Sequence, residues 1–127
     1  MSTIQFCRAT NPTTPEVVHI NPHAVLFVEA ALEAQIGETL IQVLGQNLQG
    51  VRVVESLANV LQSLPDSIAA RRHYHAGSPQ FGESIIHIYA NNIASIVPNT
   101  PHDPLFWTIV FTDQFMLRVM APLPPGL

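Results

Sequence analysis

Six histidines among 127 residues are the side chains best suited to do chemistry. The densest group is RRHYHAG at residues 71–77, where His73 and His75 lie two apart and so point to one side of a strand. With His87 or His102 as a third donor they would form a metal or small-ligand site, and zinc is the ion that suits three or four converging ligands of this kind. Exposed histidines on an edge strand give the same pattern, because a pair without a placed third ligand does not make a site. No cofactor is therefore expected, and zinc at His73, His75 and His87 is the alternative. His19 and His87 occupy matching places in a repeat set out below. An approximate two-fold axis would bring them together as a coupled pair. The plainer reading makes each a satisfied polar group at a sheet edge or subunit interface.

Other catalytic patterns are missing from the sequence. Cys7 is the single cysteine, so it forms no internal disulfide and reads as a buried spectator thiol in a reducing compartment. Ser56, Ser78 and Ser84 fall at turns or a helix start, without a G-x-S-x-G signature. The carboxylates Glu29, Glu33, Glu38, Glu55 and Asp103 are not arranged in pairs and are expected on a solvated surface. No phosphate-binding glycine loop, dinucleotide fingerprint or EF-hand sequence is present. These features point away from an enzyme.

Composition narrows the partners. Hydrophobic residues make up 47% of the chain and charged residues 11%, against roughly 25% charged in ordinary soluble domains. So little charge leaves apolar surface exposed on a lone subunit, and a homo-oligomer is the expected remedy. The aromatic hairpin at Phe106, Trp107 and Phe111 is the candidate interface with a second subunit or a protein partner. All five basic residues are Arg and the formal charge is −4, so a nucleic-acid partner is not expected; the adjacent pair Arg71-Arg72 is the sole basic cluster. The first residues have no basic stretch followed by an apolar one, and no apolar run is long enough for a membrane-spanning helix. The expected location is the cytoplasm, without membrane contact.

The elements that would position these residues emerge from an internal repeat. Shifting the chain by 68 residues lays Val17-Val18-His19-Ile20 on Ile85-Ile86-His87-Ile88, Val25 on Ile93, Val28 on Ile96, Ile41 on Ile109 and Val43 on Phe111. A two-residue slip then brings Arg52-Val53 onto Arg118-Val119. Upstream, residues 3–16 face residues 71–84, which sets Cys7 against His75. The stretch from residue 30 to 49 has helix-forming composition and helical apolar spacing. Its counterpart, rich in Pro, β-branched and aromatic residues, favours strands, so both are read as strands. The expected strands cover residues 3–9, 16–20, 24–30, 39–44, 50–54, 71–76, 84–89, 92–97, 106–112 and 115–120. Between the halves, Ser56 is the expected N-cap of a short helix at about 56–64, with Leu57, Val60, Leu61 and Leu64 on one face. Residues 122–127, PLPPGL, are expected to form an extended loose tail.

The segments IQFCRATN from Ile4, VHINPHAVLFVE from Val18, ETLIQVLG from Glu38 and VRVVESLANVLQSL from Val51 resemble the small strand-rich flagellar proteins of the FlbD type. More distantly they resemble the LytTR group of β-rich DNA-binding modules. The resemblance spans residues 3–64 with an echo in 71–120. It implies an antiparallel β module closed by a short helix, with no shared catalytic residue; the LytTR likeness implies DNA contact through basic loops, which this chain lacks. The expectation is one compact, mainly β (α+β) domain over residues 1–127, with related antiparallel modules at 3–54 and 71–120 joined by the helix. Its expected role is non-enzymatic binding or assembly with self-association. A metal- or ligand-binding protein using the histidine cluster is the alternative, and a DNA-binding regulator the second alternative.

Overall fold

The computed structural model describes residues 3–8, 16–30, 39–45, 50–74, 82–98 and 106–127. The chain is mainly β. Its strands are β1 (Ile4–Arg8), β2 (Glu16–Ile20), β3 (Val25–Ala30), β4 (Thr39–Val43), β5 (Val51–Val53), β6 (Ile68–Tyr74), β7 (Gly82–Ile88), β8 (Ile93–Pro98), β9 (Phe106–Phe111) and β10 (Met116–Met120). Helix α1 (Leu57–Ser63) lies between β5 and β6. All ten strands join one antiparallel sheet in the order β2-β1-β5-β4-β3-β7-β6-β10-β9-β8. Among the described residues no helix is long and apolar enough to cross a membrane.

Local chemistry explains the breaks between elements. At Asn21-Pro22 the ring fixes φ for a 3-10 turn over Pro22–Ala24, and the Asn21 side chain accepts the His23 N–H at 3.0 Å. A second 3-10 turn, Ala90–Asn92, stands before β8 as the first stands before β3. The Ser56 hydroxyl accepts the Asn59 N–H at 3.3 Å, satisfying an orphan donor at the start of α1. Gly50 precedes β5 with φ +62°, and a Cβ there would lie 3.0 Å from the Leu40 side chain. β4 forms a strand because β-branched Thr39, Ile41 and Val43 suit one and because β3 and β5 pair with it on both sides.

Pairing recurs along the chain. β3 sets Val25, Val28 and Ala30 opposite Val43, Ile41 and Thr39; β8 sets Ile93, Ile96 and Pro98 opposite Phe111, Ile109 and Trp107, each residue 68 positions on. Both ladders slip at the same point, leaving Leu26 and Ala94 as the extra residue of a β-bulge. In the outer pair, Ile4↔Ile20 matches Ile68↔Ile88 and Arg8↔Glu16 matches Arg72↔Ser84. This corrects the sequence alignment of Cys7 with His75: Cys7 lies opposite Val17 and its counterpart, opposite Ile85, is Arg71. Arg8↔Glu16 encloses seven residues and Arg72↔Ser84 eleven, because the β6–β7 ladder runs two pairs further, and a constant offset cannot see this difference.

Two cores form against this sheet. Phe6, Ile20, Val25, Val28, Ile41 and Val53 make the first with Val60 from α1 and Leu64 at its C-cap. Leu26, Phe27, Ala70, Ile86, Ile88, Ile109, Phe111, Leu117 and Val119 make the second. β3 serves both, because its bulge turns the successive side chains Leu26 and Phe27 into the second core while Val25 and Val28 fill the first. Phe27 lies 5.7 Å from Phe115 and 6.3 Å from Phe111, ring centre to ring centre. The expected loose tail is also corrected. Leu123 and Leu127 pack on the second core, which among the described residues has no helix to cover it as α1 covers the first.

Phe27→Ala is expected to cost about 3 to 5 kcal/mol of unfolding free energy, since it empties a buried aromatic site. Ser95→Ala, at the matching exposed position of β8, should stay within about 0.5 kcal/mol. Urea unfolding of both variants checks this: equal losses would show that β3 is not the shared wall.

Candidate functional site

Histidine placement follows from the ladder. His73, in β6, pairs with Glu83, and His87, in β7, pairs with Ala69 and Val28. Four residues of strand separate the two positions, roughly 13 Å at 3.3 Å per residue. His75 and His102 lie outside the described residues. Among the described residues no group of three or more His, Cys, Asp or Glu converges. His19 stands exposed on β2, its Nδ1 3.5 Å from the Thr3 hydroxyl, and β1, β5, β4 and β3 separate it from β7 in the sheet. His87 is half-buried, and burial pushes its pKa below the usual 6.5.

The arginine pair is engaged within the chain. Arg71 is exposed and donates to the Ala121 carbonyl at 3.1 Å. Arg72 reaches across β7 to pair with the Glu29 carboxylate, and its guanidinium lies 5.3 Å from the centre of the Phe27 ring. Glu29, expected on a solvated surface, is instead 3% exposed. Both faces of β3 are covered, so its carboxylate has no path to water and needs a cation in place. Glu55 is half-buried and also structural: both carboxylate oxygens accept the Cys7 N–H at 3.1 Å, and its carbonyl accepts the Thr39 hydroxyl at 2.8 Å. The Cys7 thiol is free and half-buried.

The aromatic hairpin turns largely inward. Phe111 belongs to the second core, Phe106 is buried with the Arg118 guanidinium 5.2 Å from its ring centre, and Trp107 packs half-buried against that core. Exposed apolar surface lies elsewhere. Val17 and Ile85, at matching positions of β2 and β7, are 54% and 53% exposed, and Val97 and Met116 are exposed on β8 and β10. Sequence reasoning missed these positions because strand alternation alone does not reveal which face a neighbour covers.

The two halves meet where β3 pairs with β7. Phe27 lies opposite Ile88 and Val28 opposite His87, and the Tyr89 N–H donates to the Leu26 carbonyl at 3.0 Å. Tyr89 crosses from the second half into the first core, where its hydroxyl donates to the Leu64 carbonyl at the end of α1. Burial, chiefly, pushes its phenol up to about 12. The Asn92 side chain donates to the His23 carbonyl at 2.6 Å, and the Gly45 N–H donates to Asp113 at 2.9 Å. Beside this junction lies a cleft of about 360 Å³ bordered by Ile4, His23, Leu64, Asp66, Tyr89 and Asn91. At the sheet's ends, β2 and β8 are paired on one side only among the described residues. These edges, with the exposed apolar positions, are the molecule's clearest unused bonding capacity.

In comparisons with known proteins no family model matches the chain, and no curated protein or solved structure matches it.

A pH response follows from His87. Its folded-state pKa lies below the unfolded value, so the unfolded chain takes up more protons as pH falls. Stability is therefore retained above about pH 6.5 and lost as pH drops below it. Urea titrations between pH 7.5 and 5.5 should show a shallower loss for His87→Gln than for the parent. Identical slopes would remove burial of this imidazole from the account.

Proposed function

We propose that this protein is a non-enzymatic assembly module, two like β units joined edge to edge in one folding unit, and that it associates with itself. The observation that carries this reading is the recurrence of strand order and register in the two halves, with one edge of each half joined and one edge of each left open. A sheet edge is a row of unpaired N–H and C=O groups, so it binds another strand without any special side chain. Composition supports the same reading. With 11% charged residues and Val17, Ile85, Val97 and Met116 exposed, a single subunit presents apolar surface to water that a second copy can cover. The cores interlock through β3 and Tyr89, which supports treating residues 1–127 as one domain rather than two independent ones. A reducing, cytoplasmic setting accords with the single free thiol.

No observation favours metal binding at His73, His75 and His87 over this reading. DNA binding through Arg71 and Arg72 would require Arg72 to leave a buried carboxylate, a change that costs about 3 to 5 kcal/mol in comparable pairs.

Light scattering over a wide concentration range tests self-association. The expected mass exceeds the 13.9 kDa of one chain and rises with concentration. A constant monomer mass up to millimolar protein would defeat the proposal.

A further inference from the structure

We propose that copies of this chain join head to tail, β8 of one copy pairing antiparallel with β2 of the next in the register that β3 uses on β7. The inference rests on the assembly reading and names its partner and its surface.

The template lies inside the molecule. β3 and β7 already form this contact, with Phe27 opposite Ile88 and Val28 opposite His87. β8 is the counterpart of β3: it holds β9 in the register in which β3 holds β4, and it bulges at the matching residue. β2 is likewise the counterpart of β7, since each lies at the same register against its inner neighbour, β1 or β6. The strand that β8 lacks is thus the strand that β2 is. Both outer edges are unpaired among the described residues.

These edges carry few of the usual defences. Natural edge strands carry Lys, inward charges or Pro that discourage pairing. Ile93–Val97 contains no charged residue, and β2 has only exposed Glu16 at its first position and a histidine. Pro98 stands at the end of β8, where Ala30 ends β3. A proline there has no N–H to offer, so it stops the ladder after the pairs the junction uses. Transferred by 68 residues, the template sets Ser95 opposite Ile20 and Ile96 opposite His19 of the next copy, and the Asn21 N–H of that copy against the Ala94 carbonyl.

Side chains set the strength. The internal junction is anchored by buried Leu26 and Phe27, whereas Ala94 and Ser95 are small and exposed. Contact between copies therefore rests on the backbone ladder and is reversible. It is also heterologous, joining two different edges, so copies form either a closed ring or an open chain according to the angle between successive units.

Cysteine pairs read the register directly. In a Cys7→Ser background, His19→Cys and Ile96→Cys chains are purified separately, mixed, and oxidised gently. A disulfide between residue 19 of one chain and residue 96 of another is expected to dominate, and Ser95→Lys in the Ile96→Cys chain should suppress it at least tenfold. Predominant 19–19 or 96–96 disulfides would overturn the proposal in favour of a symmetric edge contact. A disulfide formed within one chain carrying both cysteines would overturn it by showing that the sheet closes on itself. Absence of any 19–96 linkage in a parent that light scattering finds oligomeric would overturn this register while leaving self-association standing; absence in a strictly monomeric parent would overturn both.

Discussion

The fold depends on covering β3 from both sides. Val25, Leu26, Phe27, Val28 and Glu29 are all buried, a continuous run that no strand with one wet face would show. Water is excluded from one face by α1 and the first core, and from the other by Phe111, Phe115 and the second. The bulge at Leu26 makes this double duty possible, because it breaks the strict alternation that would send neighbouring side chains to opposite faces. The ion pair of Glu29 with Arg72 then follows, since a carboxylate on such a strand must bring its own counter-charge.

Around that wall the halves share a ladder and differ in what stands on it. Phe27 corresponds to exposed Ser95, and Tyr89, which reaches the first core, corresponds to Asn21, which caps a turn. The first core is closed by Val60 of α1 and its C-cap Leu64, the second by Leu123 and Leu127 of the tail. Phe27 and Tyr89 stand at the junction, whereas Ser95 and Asn21 stand at or beside the open edges. Duplicated pairing supplies two equivalent surfaces, and side chains decide which of them is filled within the chain.

Much of this was legible in the residues. Alternation, turn signals and the repeat point to each of the ten described strands and to the helix, and β4 reads as a strand because the Pro, β-branched and aromatic residues of its counterpart favour one. What escaped was pairing. The match of Cys7 with Arg71 depends on how far each ladder runs toward its turn, which only the pairing reveals. Glu29 reads by type as a solvated carboxylate, although the uninterrupted run AVLFV before it carries the signal of a strand covered on both faces. Phe106 and Phe111 looked like interface residues by type, and burial within the chain accounts for both. The order in which strands join, and therefore which edges stay open, is a property of topology that no local pattern encodes.

Amide hydrogen exchange as a function of protein concentration bears on the central claim most directly. The account predicts that β3 and β7 carry the strongest protection at every concentration, and that β2 and β8 are weakly protected in dilute solution and gain protection together as concentration rises. Exchange in β3 as fast as in β8, or edge strands whose protection ignores concentration, would contradict it.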